Sequence, residues 1–96
     1  MRVRQFRNAK NQFVISDKNK TVFQSYDSII AIVEDGKLTL GQDWGYSKTT
    51  SKYLYLFLED YYYTNEIWDA LRKTNKKQGI QKLINNGYIK YDSNLC

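Results

Sequence analysis

The amino-acid sequence predicts an α+β fold: an antiparallel β-meander of about five strands over residues 3–40, followed by two or three helices packed on one face. Three observations predict it. Short apolar runs of strand period, separated by turn-forming residues, occupy the first part of the chain. From residue 47 the apolar positions recur at helical spacing behind Ser/Thr and Asn signals. The composition, 42% hydrophobic with 16% aromatic and 26% charged residues, can bury a core. In 96 residues two cores would each have roughly 50, close to the marginal size. One domain over residues 1–96 is therefore expected, strand-rich over 1–41 and helical over 47–87, with room for a last strand at 88–91.

Taken in order, Val3 to Arg7 alternates Val3 and Gln5 against Arg4 and Phe6, and Asn8-Ala9-Lys10-Asn11 has turn composition. Phe13-Val14-Ile15 is a β-rich run, and Asp17-Lys18-Asn19-Lys20 is a second turn leading to Val22 and Phe23. Ser28 to Glu34 places Ile29, Ala31 and Val33 on one face and Ile30 and Ile32 on the other, which predicts a central strand covered on both sides. Asp35-Gly36 is a two-residue hairpin signal before Lys37-Leu38-Thr39-Leu40, because a type I′ turn needs positive φ twice. Ser47-Lys48-Thr49-Thr50-Ser51 offers N-caps for a helix over about 48–62, with Tyr53, Leu54, Phe57, Leu58 and Tyr61 as its inner stripe. Ile67, Trp68 and Leu71 mark a second helix capped by Thr64 or Asn65. Ile80, Leu83 and Ile84 mark a third, closed by Asn86-Gly87.

Composition excludes several function classes. There is no His, so no imidazole base and no His-containing zinc set can be assembled. The single Cys permits neither an internal disulfide nor a CxxC site. The longest apolar run, Tyr53 to Leu58, is far short of the ~20 residues that span a bilayer. The basic start is followed by polar residues rather than an apolar stretch, so no membrane association is expected and a reducing cytoplasm fits best.

The net charge of +5 conceals a pattern: residues 1–20 sum to +5, residues 21–71 to −5 and residues 72–96 to +5. If the two basic ends meet in space they form one positive face. Arg2, Arg4 and Arg7 at one end and Arg72, Lys73, Lys76 and Lys77 at the other are the candidate basic surface. Arg2, Arg4 and Phe6 on one side of a strand would suit single-stranded nucleic acid, by phosphate pairing and base stacking, although Phe6 suits the core better. Ser47 to Ser51 entering a helix could present amides, hydroxyls and Lys48 to an anion, although plain capping also accounts for them.

The carboxylates offer little chemistry. Asp27, with Asp35-x-Lys37, loosely matches the acidic pattern of metal-dependent nucleases, but the turn role of Asp35 accounts for it better. Glu59 and Asp60 are neighbours that diverge by ~100° on a helix, poor geometry for an acid and base pair. No catalytic residue, metal or cofactor is expected. The nine tyrosines are the main excess in composition. Successive residues on a helix diverge by ~100°, so Tyr61-Tyr62-Tyr63 must leave a ring exposed or at an interface. A small domain can also use Tyr where its core thins out. Tyr55, Tyr62, Tyr63 and Trp68 are the candidate protein-binding residues.

The words Val3-Arg4-Gln5-Phe6-Arg7, Gln12-Phe13-Val14-Ile15, Phe23-Gln24-Ser25-Tyr26-Asp27-Ser28-Ile29-Ile30-Ala31 and Trp44-Gly45-Tyr46-Ser47-Lys48-Thr49-Thr50-Ser51-Lys52-Tyr53 resemble a family of short proteins of unknown function. That family is carried by phages, plasmids and integrated elements of Gram-positive bacteria. The resemblance covers about residues 3–58, and Gly45 departs from an acidic residue usual between the Trp and the Tyr. It implies the cytoplasm of a bacterial host and no catalytic residue. Small mobile-element proteins without enzymatic machinery often bind a host factor, anti-CRISPR proteins among them. The expected function is therefore a non-enzymatic binding protein of a phage or mobile element, working on a host protein such as a CRISPR effector nuclease. The alternative is a small basic DNA- or RNA-binding protein.

Overall fold

The computed structural model describes residues 2–95; Met1 and the single cysteine, Cys96, lie outside them. Strands β1 (Arg2–Gln5), β2 (Gln12–Asp17), β3 (Lys20–Ser25), β4 (Ser28–Glu34) and β5 (Lys37–Gly41) form an antiparallel meander in sequence order. Helices α1 (Lys48–Tyr61), α2 (Asn65–Arg72) and α3 (Lys76–Asn85) follow, an α+β arrangement. A short β6 (Lys90–Asp92) returns to the sheet and pairs with β5 in parallel, starting two residues later than position 88.

Turn chemistry sets the meander. Asp35 and Gly36 both take positive φ, 53° and 74°, as a type I′ hairpin requires. β1 is shorter than the alternation suggested, ending at Gln5. Phe6 leaves the strand because its ring enters the core, edge-on to Phe23 at 5.8 Å and to Phe57 at 6.3 Å. Arg7 then turns the chain in the left-handed region at φ 53°.

One face of the sheet carries the core. Val14, Phe23, Ala31 and Leu40 pair across four strands and are buried. Leu54, Phe57 and Leu58 of α1, Ile67, Ala70 and Leu71 of α2, and Ile80 of α3 close over that row. Phe57 stacks on Phe23 with centroids 5.4 Å apart. At the entry of α1 a buried hydroxyl chain runs from Ser47 through Thr50 (3.1 Å) to Ser25 of β3 (3.2 Å), while the Thr50 N–H donates to the Ser47 side chain. This cap ties the helix start to the sheet. α3 ends in a Schellman motif: the Tyr88 N–H donates to the Leu83 carbonyl and that of Gly87, at φ 79°, to Ile84, both at 3.0 Å.

The expectation that β4 is covered on both sides is corrected. The pairing register shifts between Phe23 and Gln24, so that Phe23 faces Ala31 and Gln24 faces Ile29, leaving Ile30 as a bulge residue. The bulge sends Ile30 and Ala31 to the core together and puts Ile29 on the other face with Ile32. On that second face Val3, Ile15, Val22, Ile32 and Thr39 line up across five strands beside Phe13 and Ile29. None of these side chains joins the core cluster. They shield one another within the sheet.

Candidate functional site

The candidate aromatic residues divide between the middle of α1 and the chain that follows its C-terminal end. At its C-terminal end the helix stops at Tyr61. Tyr62 caps it with φ −150°, and its N–H donates to the Leu58 carbonyl at 2.8 Å. The triple therefore leaves the helix instead of wrapping it. Tyr62 is half-buried against the core, and its hydroxyl donates to the Gly36 carbonyl at 3.3 Å. Burial first, and then the neighbouring Tyr88 phenol, raises the Tyr62 phenol above its ordinary pKa. Tyr88 donates to Thr64 Oγ1 at 2.9 Å, and Thr64 in turn caps α2. Tyr63 and Trp68 remain exposed, at 52% and 44%. The Arg72 guanidinium lies 4.0 Å from the Trp68 ring centroid, one turn further along α2, with Asp69 at 3.5 Å. Of the four tyrosine and tryptophan candidates, only Tyr63 and Trp68 are exposed.

Tyr55 lies near the middle of α1. It is half-buried at the floor of a groove of about 930 Å³ that runs between α1 and the start of α3. Burial raises its phenol, opposed by a hydrogen bond to Ser51. Lys48 and Lys52 line one wall, Lys76 and Lys77 the other, and Glu59 is the acidic residue in the lining. Lys77 Nζ donates to the Gly45 carbonyl at 3.2 Å, bridging the α3 start to the loop before α1. A Cβ on Gly45 would come within 2.8 Å of Lys77 Cε, so the bridge crosses directly over this position. Tyr46, 82% exposed, stands at the lip. Neither α1 nor α3 carries an acidic residue in its first turn, and the caps are Ser47 and Asn75.

The two basic ends do not share a face. Arg4 donates to the Tyr61 hydroxyl, and Arg7 pairs with both Asp60 oxygens at 2.9 and 3.0 Å, so both meet the C-terminal end of α1. Lys76 and Lys77 meet its N-terminal end, roughly 20 Å away at 1.5 Å per residue. Arg2 is exposed on the edge strand, Lys73 is exposed at the α2–α3 joint, and Arg72 is engaged by Trp68 and Asp69. Phe6 is 3% exposed and unavailable to stack on a base, which removes the Arg-aromatic stripe suggested for β1.

The carboxylate pattern also falls apart. Asp27 lies in the turn before β4 and Asp35 in the turn after it, about 25 Å apart along an extended strand, too far to share one metal ion. Among the described residues no group of three or more His, Cys, Asp or Glu side chains is placed to hold a metal. No helix among them is long and apolar enough to cross a membrane.

Lys52 and Tyr46 are groove residues that sequence reasoning passed over, and Lys52 carried a signal. Its signal was the i, i+4 spacing from Lys48, which puts both ammonium groups on one side of α1. Nothing in the sequence paired that side with Lys76 and Lys77, because the contact depends on how α3 docks.

The fold and surfaces define a small α+β protein: a meander sheet with three helices on one face, an exposed Trp68–Arg72 stack on α2 with Tyr63 exposed just before that helix, and a lysine-walled groove. The chain belongs to a family of unknown function, DUF8033, whose model matches residues 1–84. The match spans the meander, α1, α2 and nearly all of α3, while β6 lies beyond it. Searches of the curated proteins and of the solved structures returned no match.

Proposed function

We propose that this protein is a non-enzymatic binding protein of a phage or mobile element that acts in the bacterial cytoplasm by contact with a host protein. Inhibition of a nucleic-acid-guided defence nuclease, in the manner of an anti-CRISPR protein, is the specific form of that reading. The observation that carries the binding role is the exposed pair Tyr63 and Trp68, the latter stacked with Arg72 at 4.0 Å. Trp, Tyr and Arg are the residues that dominate interface hot spots, because they bring large contact area at small entropic cost. The stack also holds the indole before any partner arrives, which lowers the ordering cost of association. The mobile-element setting rests on the resemblance of residues 3–58, and the inhibitory role rests on the class of small proteins that such elements carry.

The test is affinity capture from a nuclease-treated lysate of a Gram-positive host, with wild type and a Tyr63→Ala/Trp68→Ala variant side by side. A protein retained by wild type and lost by the variant is the expected result. Its identity as a guided nuclease would then be checked by loss of target cleavage on adding the wild-type protein. Equal recovery by the two baits would remove the aromatic pair from the account.

A further inference from the structure

The lysine groove includes none of Tyr63, Trp68 and Arg72 in its lining and makes a different demand on its occupant. Its lining carries four ammonium groups and one carboxylate, in a chain whose whole net charge is +5. Lys48 and Lys52 stand one turn apart on α1, about 6 Å along its axis, and Lys76 and Lys77 face them across the opening. None of the four forms an ion pair among the described residues, whereas Arg7 and Arg72 do. The floor is apolar, with Tyr55 and Leu56 half-buried, and Tyr46 projects from the rim with its ring open. A trough with cationic walls, an apolar floor and a free aromatic ring is complementary to a flexible chain of phosphates with flat, stackable groups. A duplex presents its bases inward and would gain nothing from Tyr46.

We infer that the groove between α1 and α3 binds single-stranded nucleic acid, with Lys48, Lys52, Lys76 and Lys77 against the phosphodiester backbone and Tyr46 stacking on a base. This goes beyond the host-protein reading and stands or falls independently of Tyr63 and Trp68. The backbone contacts make binding strongly salt-dependent: four phosphates neutralised on a single strand give a slope of log affinity against log salt of about −3.

The experiment is fluorescence anisotropy of a labelled single-stranded oligonucleotide of mixed sequence, titrated with the full chain between roughly 50 and 200 mM salt. Wild type should bind with that slope. A Lys52→Ala/Lys76→Ala variant, which keeps the Lys77 bridge, should lose roughly tenfold in affinity and bring the slope to about −1.5. A Lys18→Ala/Lys20→Ala variant removes two charges at the β2–β3 turn and should bind as wild type. Equal thermal midpoints for the three proteins show that folding is preserved. No binding at the lowest salt overturns the inference, as does a slope that falls equally in both variants. Equal affinity for the duplex form, or displacement of the oligonucleotide by polyglutamate at matched charge, also overturns it, the last in favour of an acidic protein as the occupant.

Discussion

Gly79 sits in the interior of α3, where glycine costs about 1 kcal/mol in helix propensity relative to alanine. It is tolerated because α2 passes so close that a Cβ at 79 would lie 2.9 Å from the Ala70 carbonyl oxygen and 3.1 Å from its Cα. Backbone cannot step aside as a side-chain tip can, so Gly79→Ala is expected to lose about 1–3 kcal/mol despite the better helix former, measured by urea unfolding. A gain would mean that the two helices are not in contact. Gln12 makes the opposite case. It is 1% exposed on the core face of β2, and among the described residues neither its amide nitrogen nor its oxygen has a hydrogen-bond partner. Gln12→Met keeps the volume and removes the unpaired polar atoms, so it should stabilise by about 1 kcal/mol, a rise of several degrees in Tm. A fall in Tm would show that the amide is satisfied in solution. The two residues differ in how far sequence could read them. A glycine between Gln78 and Ile80 is a visible anomaly in a helical pattern, whereas the burial of Gln12 follows from register alone.

Elements whose cause is local were readable in advance. Asp35-Gly36 marks its hairpin, Ser47 caps α1, Thr64 caps α2, and Asn86-Gly87 ends α3, because each depends on a few adjacent residues. The bulge at Ile30 was not readable. Strict alternation over 28–34 splits the five apolar residues wrongly, and only the pairing of Phe23 with Ala31 and Gln24 with Ile29 shows where the period slips. The consequence is a sheet with one covered and one uncovered apolar face, and the two should answer differently to substitution. Phe57→Ala, in the covered core, should cost about 3–5 kcal/mol. Ile32→Thr, on the uncovered face, should cost less than about 1 kcal/mol, since its side chain already borders solvent and threonine suits a strand. Comparable losses at the two positions by chemical denaturation would require a second layer over that face.

At the scale of the whole molecule the charge pattern has a spatial meaning that its linear sums did not reveal. Arg4 and Arg7 are spent on Tyr61 and Asp60 at one end of α1, and Lys76 and Lys77 face Lys48 and Lys52 towards the other. The groove thus combines two signals, the Ser47–Ser51 segment and Lys76-Lys77, that stand far apart in the sequence and are joined only by the docking of α3. Among the aromatic candidates, Tyr55 lines that groove from the middle of α1, whereas Tyr63 and Trp68 follow the C-terminal end of the helix and are outside the lining. The proposed function rests on the aromatic surface and the further inference on the groove. The most direct test is therefore quantitative capture from nuclease-treated host lysate by wild type and by Tyr63→Ala/Trp68→Ala, with matched thermal midpoints for the two baits. The account predicts a stoichiometric protein partner that survives nuclease treatment and is lost with the aromatic pair. A partner held equally by both baits, or no protein at all once nucleic acid is removed, would contradict it.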